Sequence, residues 1–366
     1  MKNRKSVVAV AAALVVGALA APAQAPALVK GFWGPTSVNG VSQFPVYRDL
    51  GVTLYQMSLS WPDVAPTRPA NPRDPADPAY HWPAEVDFAI QQGRANNIRV
   101  LLLLTNTPPW ANGGHSQGYA PRRPSDFADF ARAAARRYPA VRHWMIWGEP
   151  TRRPNFRPLT PETDFSKPLN ARQKEAPHRY ARILDASYGA LKAVRSSNLV
   201  IGGNSYTIGE IRPAHWVQNL RLPDGRPPRM DLYGHNPFSF RTPRLSNPPI
   251  KYTVDFSDLA RFNRVVNRYL GRPRNRRIRL FLSEFTIPTD KPDREFNFHV
   301  TRALQAKWIR SAFRVAKSRA VNAYGLGWIH LYDDPPDPAG KTAVIQSGLI
   351  DAAGQKKPGY FAFRNG

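Results

Sequence analysis

Val100-Leu101-Leu102-Leu103-Leu104 is the stretch that decides the fold class. These five consecutive apolar residues have no polar alternation, which is typical of a strand buried on both faces. A parallel sheet covered by helices buries its strands in this way, whereas an antiparallel sheet with one wet face gives alternating residues. The run therefore predicts a parallel β-strand inside an α/β domain.

Strand-like and helix-like segments alternate outward from this run in both directions. The candidate strands are Ala27–Trp33, Thr53–Leu59, Arg99–Leu104, His143–Trp147, Leu199–Gly203, Met230–Gly234, Arg279–Leu282 and Ala323–Trp328. Apolar residues at three- and four-residue spacing predict helices over Ala84–Asn96, Ser125–Arg137, His178–Ser196, Pro213–Leu220, Ser257–Leu270 and His299–Ser318. Eight alternating β and α units favour a single (β/α)8 TIM barrel over an open sheet.

The length and the loops agree with a barrel. A barrel takes about 250 residues, and more with insertions, which the 366-residue chain can supply. Proline-rich inserts at 62–83, 105–124, 151–177 and 236–252 follow strand candidates two, three, four and six. In a barrel these loops lie at the C-terminal face, where active sites are built. We therefore expect one barrel domain over residues 26–366 with its site among these inserts.

Residues 1–25 have the pattern of a signal peptide. A basic start (Lys2, Arg4, Lys5) precedes an apolar stretch from Val7 to Ala21, and Ala23-Gln24-Ala25 fits a cleavage site. An uncleaved anchor is the alternative, but the apolar stretch falls short of the about 20 residues that a membrane span needs. The pattern predicts a secreted protein, extracellular or associated with the cell envelope.

Composition narrows the possible chemistry and partners. The chain has no cysteine, which excludes disulfides, thiolate metal sites and cysteine nucleophiles. The net charge is +26, from 52 Lys and Arg against 26 Asp and Glu. The basic residues are scattered and no nucleic-acid motif accompanies them. Solvated helix faces are the favoured explanation, and an anionic polysaccharide partner is the alternative.

Two glutamates follow directly on apolar strands. Glu149 lies in WMIWGEP (144–150) and Glu284 in LFLSEF (280–285). In an eight-stranded ring the ends of strands four and seven face each other across the mouth. Glycosidic cleavage needs such a pair, because one carboxyl protonates the leaving oxygen while the other attacks or stabilises the anomeric carbon. A structural ion pair with arginine is the alternative role for either glutamate alone.

Five motifs together resemble glycoside hydrolase clan A, near families 5 and 39, over almost the whole mature chain. WGEP (147–150) is similar to the clan's Asn-Glu-Pro motif, and LSEF (282–285) is similar to its nucleophile strand. LSWPDVAP (59–66), TPPWA (107–111) and the closing GLID (348–351) with KPGY (357–360) agree. The resemblance implies a retaining glycosidase with Glu149 as acid/base and Glu284 as nucleophile, with no cofactor.

The chain departs from the clan at two positions. Gly148 stands where the clan has an asparagine that contacts the sugar 2-hydroxyl, and Gln56 stands where it often has an arginine. Losing the 2-hydroxyl contact can cost several kcal/mol of transition-state stabilisation. The candidate substitute donors are Asn106, Asn155 and Asn204.

Further residues are predicted to bind substrate. The resemblance implies that His235 and Asn236 lie near the nucleophile and that Trp328 stacks under the sugar; a structural histidine and core packing are the alternatives. Trp33, Trp110 and Tyr206 are expected to line the cleft, although Trp110 can equally brace a loop.

Metal and partner expectations follow from side-chain chemistry. Asp333, Asp334 and Asp337 form an acidic cluster, but Pro335 and Pro336 interrupt it, so a solvated loop is favoured over a calcium site. The histidines show no paired spacing, so no catalytic metal is predicted. We expect a monomeric, secreted glycosidase, and the alternative is a non-catalytic glycan-binding barrel.

Overall fold

The computed structural model describes residues 27–271, 277–291, 298–335 and 344–366. In these ranges eight parallel strands close into a barrel, each paired with the next along the chain and the last paired with the first. The strands are β1 (Val29–Trp33), β2 (Leu54–Ser60), β3 (Arg99–Thr105), β4 (His143–Ile146), β5 (Leu199–Tyr206), β6 (Leu232–Asn236), β7 (Arg279–Leu282) and β8 (Ala323–Ile329). The predicted (β/α)8 barrel is confirmed. The signal-peptide prediction lies outside the described residues.

Helices cover the outside of the barrel between the strands. They are α1 (Phe44–Asp49), α2 (Trp61–Val64), α3 (Ala84–Ala95), α4 (Pro109–Asn112), α5 (Pro124–Arg137), α6 (Ala171–Val194), α7 (Pro213–Asn219), α8 (Leu259–Leu270), α9 (Arg302–Ala316) and α10 (Pro358–Arg364). A short hairpin (Ser37–Val38 with Val41–Ser42) follows β1, and a 3-10 turn (Phe256–Asp258) precedes α8. In the described ranges no helix is long and apolar enough to cross a membrane.

The largest difference from the sequence prediction is the start of α6. The prediction placed the start at His178, directly after the proline-rich insert 151–177. The helix instead begins at Ala171. Asn170 and Gln173 form a reciprocal capping box, with N···O distances of 3.0 and 2.9 Å, and this satisfies the first free N–H groups.

Side-chain parity along the strands separates the barrel interior from its outer layer. Gly31 pairs with Gly327, and Phe32 pairs with Trp328. A Cβ on either glycine would lie within 3.0 Å of Gln56 Nε2, so these positions face inward. Successive strand residues point to opposite faces, so Phe32 and Trp328 face the surrounding helices.

The interior is apolar towards the N-terminal end of the barrel and polar towards its mouth. A compact inner cluster fills the first part: Val29, Leu54, Leu101, Leu103, Met145, Ile201, Leu232 and Phe281. Above it the inward positions carry Gln56, Asn236 and Ser283, all buried. The C-terminal ends of the strands therefore surround a polar mouth rather than a closed core, as expected of the functional end of such a barrel.

Candidate active site

The end of β4 turns Glu149 into the mouth through an unusual backbone. Trp147 and Glu149 have φ values of +66° and +44°, a left-handed conformation that side chains other than glycine rarely adopt. The buried Trp147 indole holds this turn, because it donates to the Asn155 carbonyl (2.9 Å) and packs edge-on against Phe156. The strand end is thus locked in a shape that points the following carboxylate inward.

Backbone strain is concentrated at the same end of the barrel. Of the ten non-glycine residues with positive φ in the described ranges, five lie at or near the C-terminal ends of strands: Asn106, Trp147, Glu149, Asn204 and His330. Each such residue costs of order 1–3 kcal/mol and persists only where surrounding structure enforces it. This distribution is typical of a binding or catalytic site and locates it at the mouth.

Three donors converge on the Glu149 carboxylate. Asn236 Nδ2, at the end of β6, donates to Oε1 at 2.9 Å. Arg152 Nη1 donates to Oε2 at 3.0 Å, and Asn155 Nδ2 reaches the same oxygen at 3.4 Å. The Glu149 side chain is 11% exposed. One edge of the mouth therefore carries a carboxylate that is fixed in position and still reachable.

Arg152 is a site residue that the sequence prediction missed. Its guanidinium lies 4.8 Å from the centre of the Tyr206 ring as well as on Glu149. Burial lowers the pKa of Arg152, but the Glu149 carboxylate more than offsets this and leaves the pKa raised. Arg152 and Tyr206 also form one wall of a cavity of about 420 Å3 beside the mouth. The only sequence signal for Arg152 is its position three residues after Glu149.

Glu284 follows β7 on a backbone that three other strands hold in place. The preceding Ser283 receives a hydrogen bond at its carbonyl from Gln56 Nε2 (3.0 Å) and donates its N–H to the carbonyl of His235 (3.2 Å). The following Phe285 accepts from the Ile329 N–H (3.3 Å). Glu284 itself is half-buried and has contacts of its own. Because β2, β6 and β8 all hydrogen-bond to the residues next to Glu284, the backbone that carries this carboxylate is held rigidly.

Gln56, which stands where the resemblance implies an arginine, bonds to the backbone beside Glu284. Its amide nitrogen supports the Ser283 carbonyl beside Glu284, while its Oε1 is buried without a hydrogen-bond partner in the described structure. Asn204 Oδ1, Asn236 Oδ1 and Ser283 Oγ are likewise buried and unpaired. Unpaired buried polar atoms cost about 1–3 kcal/mol each. The polar lining beneath the mouth is therefore incompletely paired within the described structure.

Two predicted substrate contacts are placed elsewhere by the structure. His235 is fully buried, with Nδ1 bonded to Ser205 Oγ and Nε2 to the Val254 carbonyl, both at 2.9 Å. Burial lowers the pKa of His235 to about 4. Trp328 faces outward and packs against Phe285 at 5.3 Å. Strand parity explains both corrections, because the inward positions next to them are Asn236 and Gly327.

The remaining predicted residues divide between the mouth and its loops. Trp33 ends β1 half-buried above the inner cluster, with its indole N–H buried and unpaired. Asn106 follows β3 and accepts weakly from Thr105 Oγ1 (3.5 Å). Trp110 donates to the Ala65 carbonyl (2.9 Å) and packs edge-on against Trp61, so it braces a loop. Asn204 donates weakly to the Trp147 carbonyl (3.5 Å).

The acidic cluster after β8 is engaged in structural contacts. Asp333 Oδ2 lies 2.5 Å from Lys357 Nζ, with both side chains almost fully buried. Asp334 accepts from the Ile345 N–H at 2.9 Å, and Asp337 lies outside the described residues. In the described ranges no group of three His, Asp or Glu side chains is arranged to hold a metal ion.

Comparison with known proteins finds similarity of shape only. No protein-family model matches the sequence, and no curated protein matches it. Among solved structures, the fold resembles a family 39 glycoside hydrolase from Bacteroides cellulosilyticus (17% identity, TM-score 0.62, 92% of this chain and 62% of that one). It also resembles a glucosidase from Croceicoccus marinus (17%, 0.64, 92% and 66%). A third is a monomeric β-xylosidase from Caulobacter crescentus (15%, 0.58, 92% and 66%).

These comparisons bear on the fold. The chain spans about two thirds of the length of each of these proteins. At such low identities a shared shape does not carry over an activity or a substrate. The chain is a closed (β/α)8 barrel of the kind found in glycoside hydrolases of family 39.

Proposed function

We propose that this chain is a retaining glycoside hydrolase. Glu284 is the nucleophile and Glu149 the acid/base. The observation that carries the proposal is the pair of glutamates at the ends of β4 and β7 of one closed barrel. Residues of other strands bond to Glu149 itself and to the backbone beside Glu284. A barrel mouth is where catalytic residues of this fold are found, and the solved structures that share the shape include glycosidases.

The mechanism proceeds in two steps. In the first, Glu284 attacks the anomeric carbon while Glu149 gives its proton to the departing oxygen, so the glycosidic bond breaks and a glycosyl ester forms. In the second, Glu149 takes a proton from water, and the resulting hydroxide displaces Glu284. Retention by this route requires the two carboxyl groups to stand about 5–5.5 Å apart.

Glu149 is held beside an arginine. Arg152 Nη1 donates to Glu149 Oε2 at 3.0 Å, and the second step uses Glu149 as the carboxylate that accepts a proton from water. The acid role in the first step requires a protonated carboxyl. Arg152 and Tyr206 both line the adjoining cavity. A leaving group that enters this cavity beside Tyr206 would therefore compete with Arg152 for Glu149 Oε2.

Covalent trapping tests the proposal. Cyclophellitol-type probes of several sugar configurations should label the wild-type protein, and peptide mapping should place the label on Glu284. Glu284→Gln should abolish labelling and turnover of aryl glycosides. Glu175→Gln is the matched control, because Glu175 lies on the outside of α6 and pairs with Arg179. Labelling of Glu284→Gln at the wild-type rate would refute the nucleophile assignment.

A second candidate function is glycan binding without turnover. Gly148 removes the expected 2-hydroxyl contact, and Arg152 occupies one oxygen of the Glu149 carboxylate. Glycan binding by a protein that no probe labels would favour this candidate.

We also propose that the chain is exported after cleavage following Ala25. The basic, apolar and small-residue pattern of residues 1–25 supports this. Mass spectrometry of the protein from its native host should find Pro26 as the first residue, and a retained Met1 would contradict export by cleavage.

A further inference from the structure

A basic cavity lies on the outside of the barrel, and the residues that line it differ from those of the mouth. It has a volume of about 540 Å3 and lies between helix α9 and the loop that follows β6. Four cationic side chains line it: Lys307, Arg310 and Arg314 from α9, and Arg244 from the loop. Neither proposed catalytic glutamate contributes to its wall.

The spacing along α9 explains how the cations come together. Lys307, Arg310 and Arg314 follow one another at three- and four-residue intervals, so they form one stripe on the helix surface. All three are exposed, whereas Ser311 and Val315 on the same wall are buried. Helix α9 thus places a row of positive charges along the cavity wall, beside residues that are buried against the protein core.

These four cations differ from Arg302, on the same helix, in having no carboxylate partner among the described residues. Arg302, on the same helix, pairs with Asp290 and Asp351, each at 2.9 Å. Within the described ranges no ion pair involves Lys307, Arg310, Arg314 or Arg244. Like charges gathered in one concave surface repel each other, and a multivalent anion relieves that repulsion while gaining several attractions.

The lining distinguishes between kinds of polyanion. Among the described residues, no aromatic side chain lines the cavity, whereas single-stranded nucleic acid is usually held by stacking of bases on aromatic rings. Ser246, Ser311 and Ser318 supply hydroxyl groups among the cations, which suits a ligand rich in hydroxyls. Arginine pairs well with carboxylates through its planar fork.

We propose that this cavity is a binding site for an acidic polysaccharide, whose carboxylates pair with Arg310, Arg314, Lys307 and Arg244. The choice of a polysaccharide rests on the proposed glycosidase function, and the need for a polyanion rests on the charges alone. The site holds a polymer on the flank of the barrel, separately from the mouth that cleaves it.

The test separates binding from cleavage by using full-length protein that carries Glu284→Gln. Affinity for polygalacturonate is measured by calorimetry at two salt concentrations, with neutral dextran, inorganic polyphosphate and single-stranded DNA as comparison ligands. The double variant Arg310→Glu with Arg314→Glu alters the cavity. Arg264→Glu with Arg268→Glu is the matched control, because both residues are exposed on α8 and the change in net charge is the same.

The expected result is a loss of about tenfold or more in affinity for polygalacturonate in the cavity variant, since exposed ion pairs are each worth up to about 1 kcal/mol and reversal adds repulsion. The control should keep most of its affinity. Equal losses in both variants would show that net charge alone binds the polymer and would overturn the site. Tighter binding of polyphosphate or DNA than of polygalacturonate would overturn the choice of polysaccharide. Probe labelling of the protein with intact Glu284 reports on the proposed glycosidase separately.

Discussion

Asn236→Ala is the substitution that most directly tests how the mouth holds its acid/base. Asn236 Nδ2 donates to Glu149 Oε1 at 2.9 Å, and the asparagine is fully buried. Alanine removes this donor and leaves Arg152 and Asn155 on the other carboxylate oxygen. The carboxyl should then rotate away from the position in which it protonates the leaving oxygen.

The size of the effect follows from the kind of hydrogen bond lost. A hydrogen bond to a charged group contributes about 1.5–3 kcal/mol, which corresponds to a loss of about 10- to 150-fold in kcat/KM. The loss should depend on the leaving group. Substrates with a poor leaving group need the proton from Glu149 and should show the full defect, whereas a dinitrophenyl glycoside leaves without protonation and should show much less.

The assay compares kcat/KM for two aryl glycosides with leaving groups of different acidity. Asn263→Ala is the matched control, because Asn263 is a buried asparagine whose Nδ2 donates to a backbone carbonyl (Ile278, 3.2 Å) on the outside of the barrel. Thermal unfolding checks that both variants fold. An equal loss on the two substrates, or no loss on either, would refute the acid/base positioning by Asn236.

Three further predictions concern stability and the seat of the nucleophile. Lys357→Met should cost about 3–5 kcal/mol, because it leaves the buried Asp333 charge without its partner at 2.5 Å; adding Asp333→Leu should restore much of it, as measured by denaturant unfolding. His235 is neutral in the fold with a pKa of about 4 against 6.5 when unfolded. The contribution of neutral His235 to the free energy of unfolding is therefore complete above about pH 6.5 and is lost as the pH falls towards 4. The loss amounts to about 2 kcal/mol between pH 7 and 5. His235→Gln should make the free energy of unfolding less dependent on pH in this range, and an unchanged dependence would contradict the assignment. Gly327→Ala would place a Cβ 2.1 Å from the Ser283 carbonyl. The backbone that carries Glu284 should then shift, so kcat for an aryl glycoside should fall while KM changes little. Full activity would show that this backbone is not held rigidly.

Local sequence patterns determine most of the fold. Each predicted strand and helix is present because apolar periodicity depends only on neighbouring residues and on the need to bury one face or two. The early start of α6 is the informative exception. Its capping box joins Asn170 and Gln173, three residues apart, and the helix that it starts continues through Pro177.

The sequence also identifies Glu149 and Glu284 as residues that follow the ends of β4 and β7. The prediction was weaker where it depended on which face of a strand a side chain points to, as well as on the residue's place along the strand. His235 and Trp328 stand at strand ends, yet their side chains point into the outer layer. A shift of one residue along a strand moves a side chain to the opposite face, and only the barrel's closure settles which face is the interior.

Sequence patterns thus predict the alternation of elements, the barrel and the two carboxylates at its mouth. The side chains that surround these carboxylates depend on the tertiary fold. Asn236 reaches Glu149 across 87 residues of chain, and Gln56 supports the residue beside Glu284 across 227. Contacts over such separations leave no periodic trace in a single sequence, because they arise only when the closed barrel brings its strand ends together.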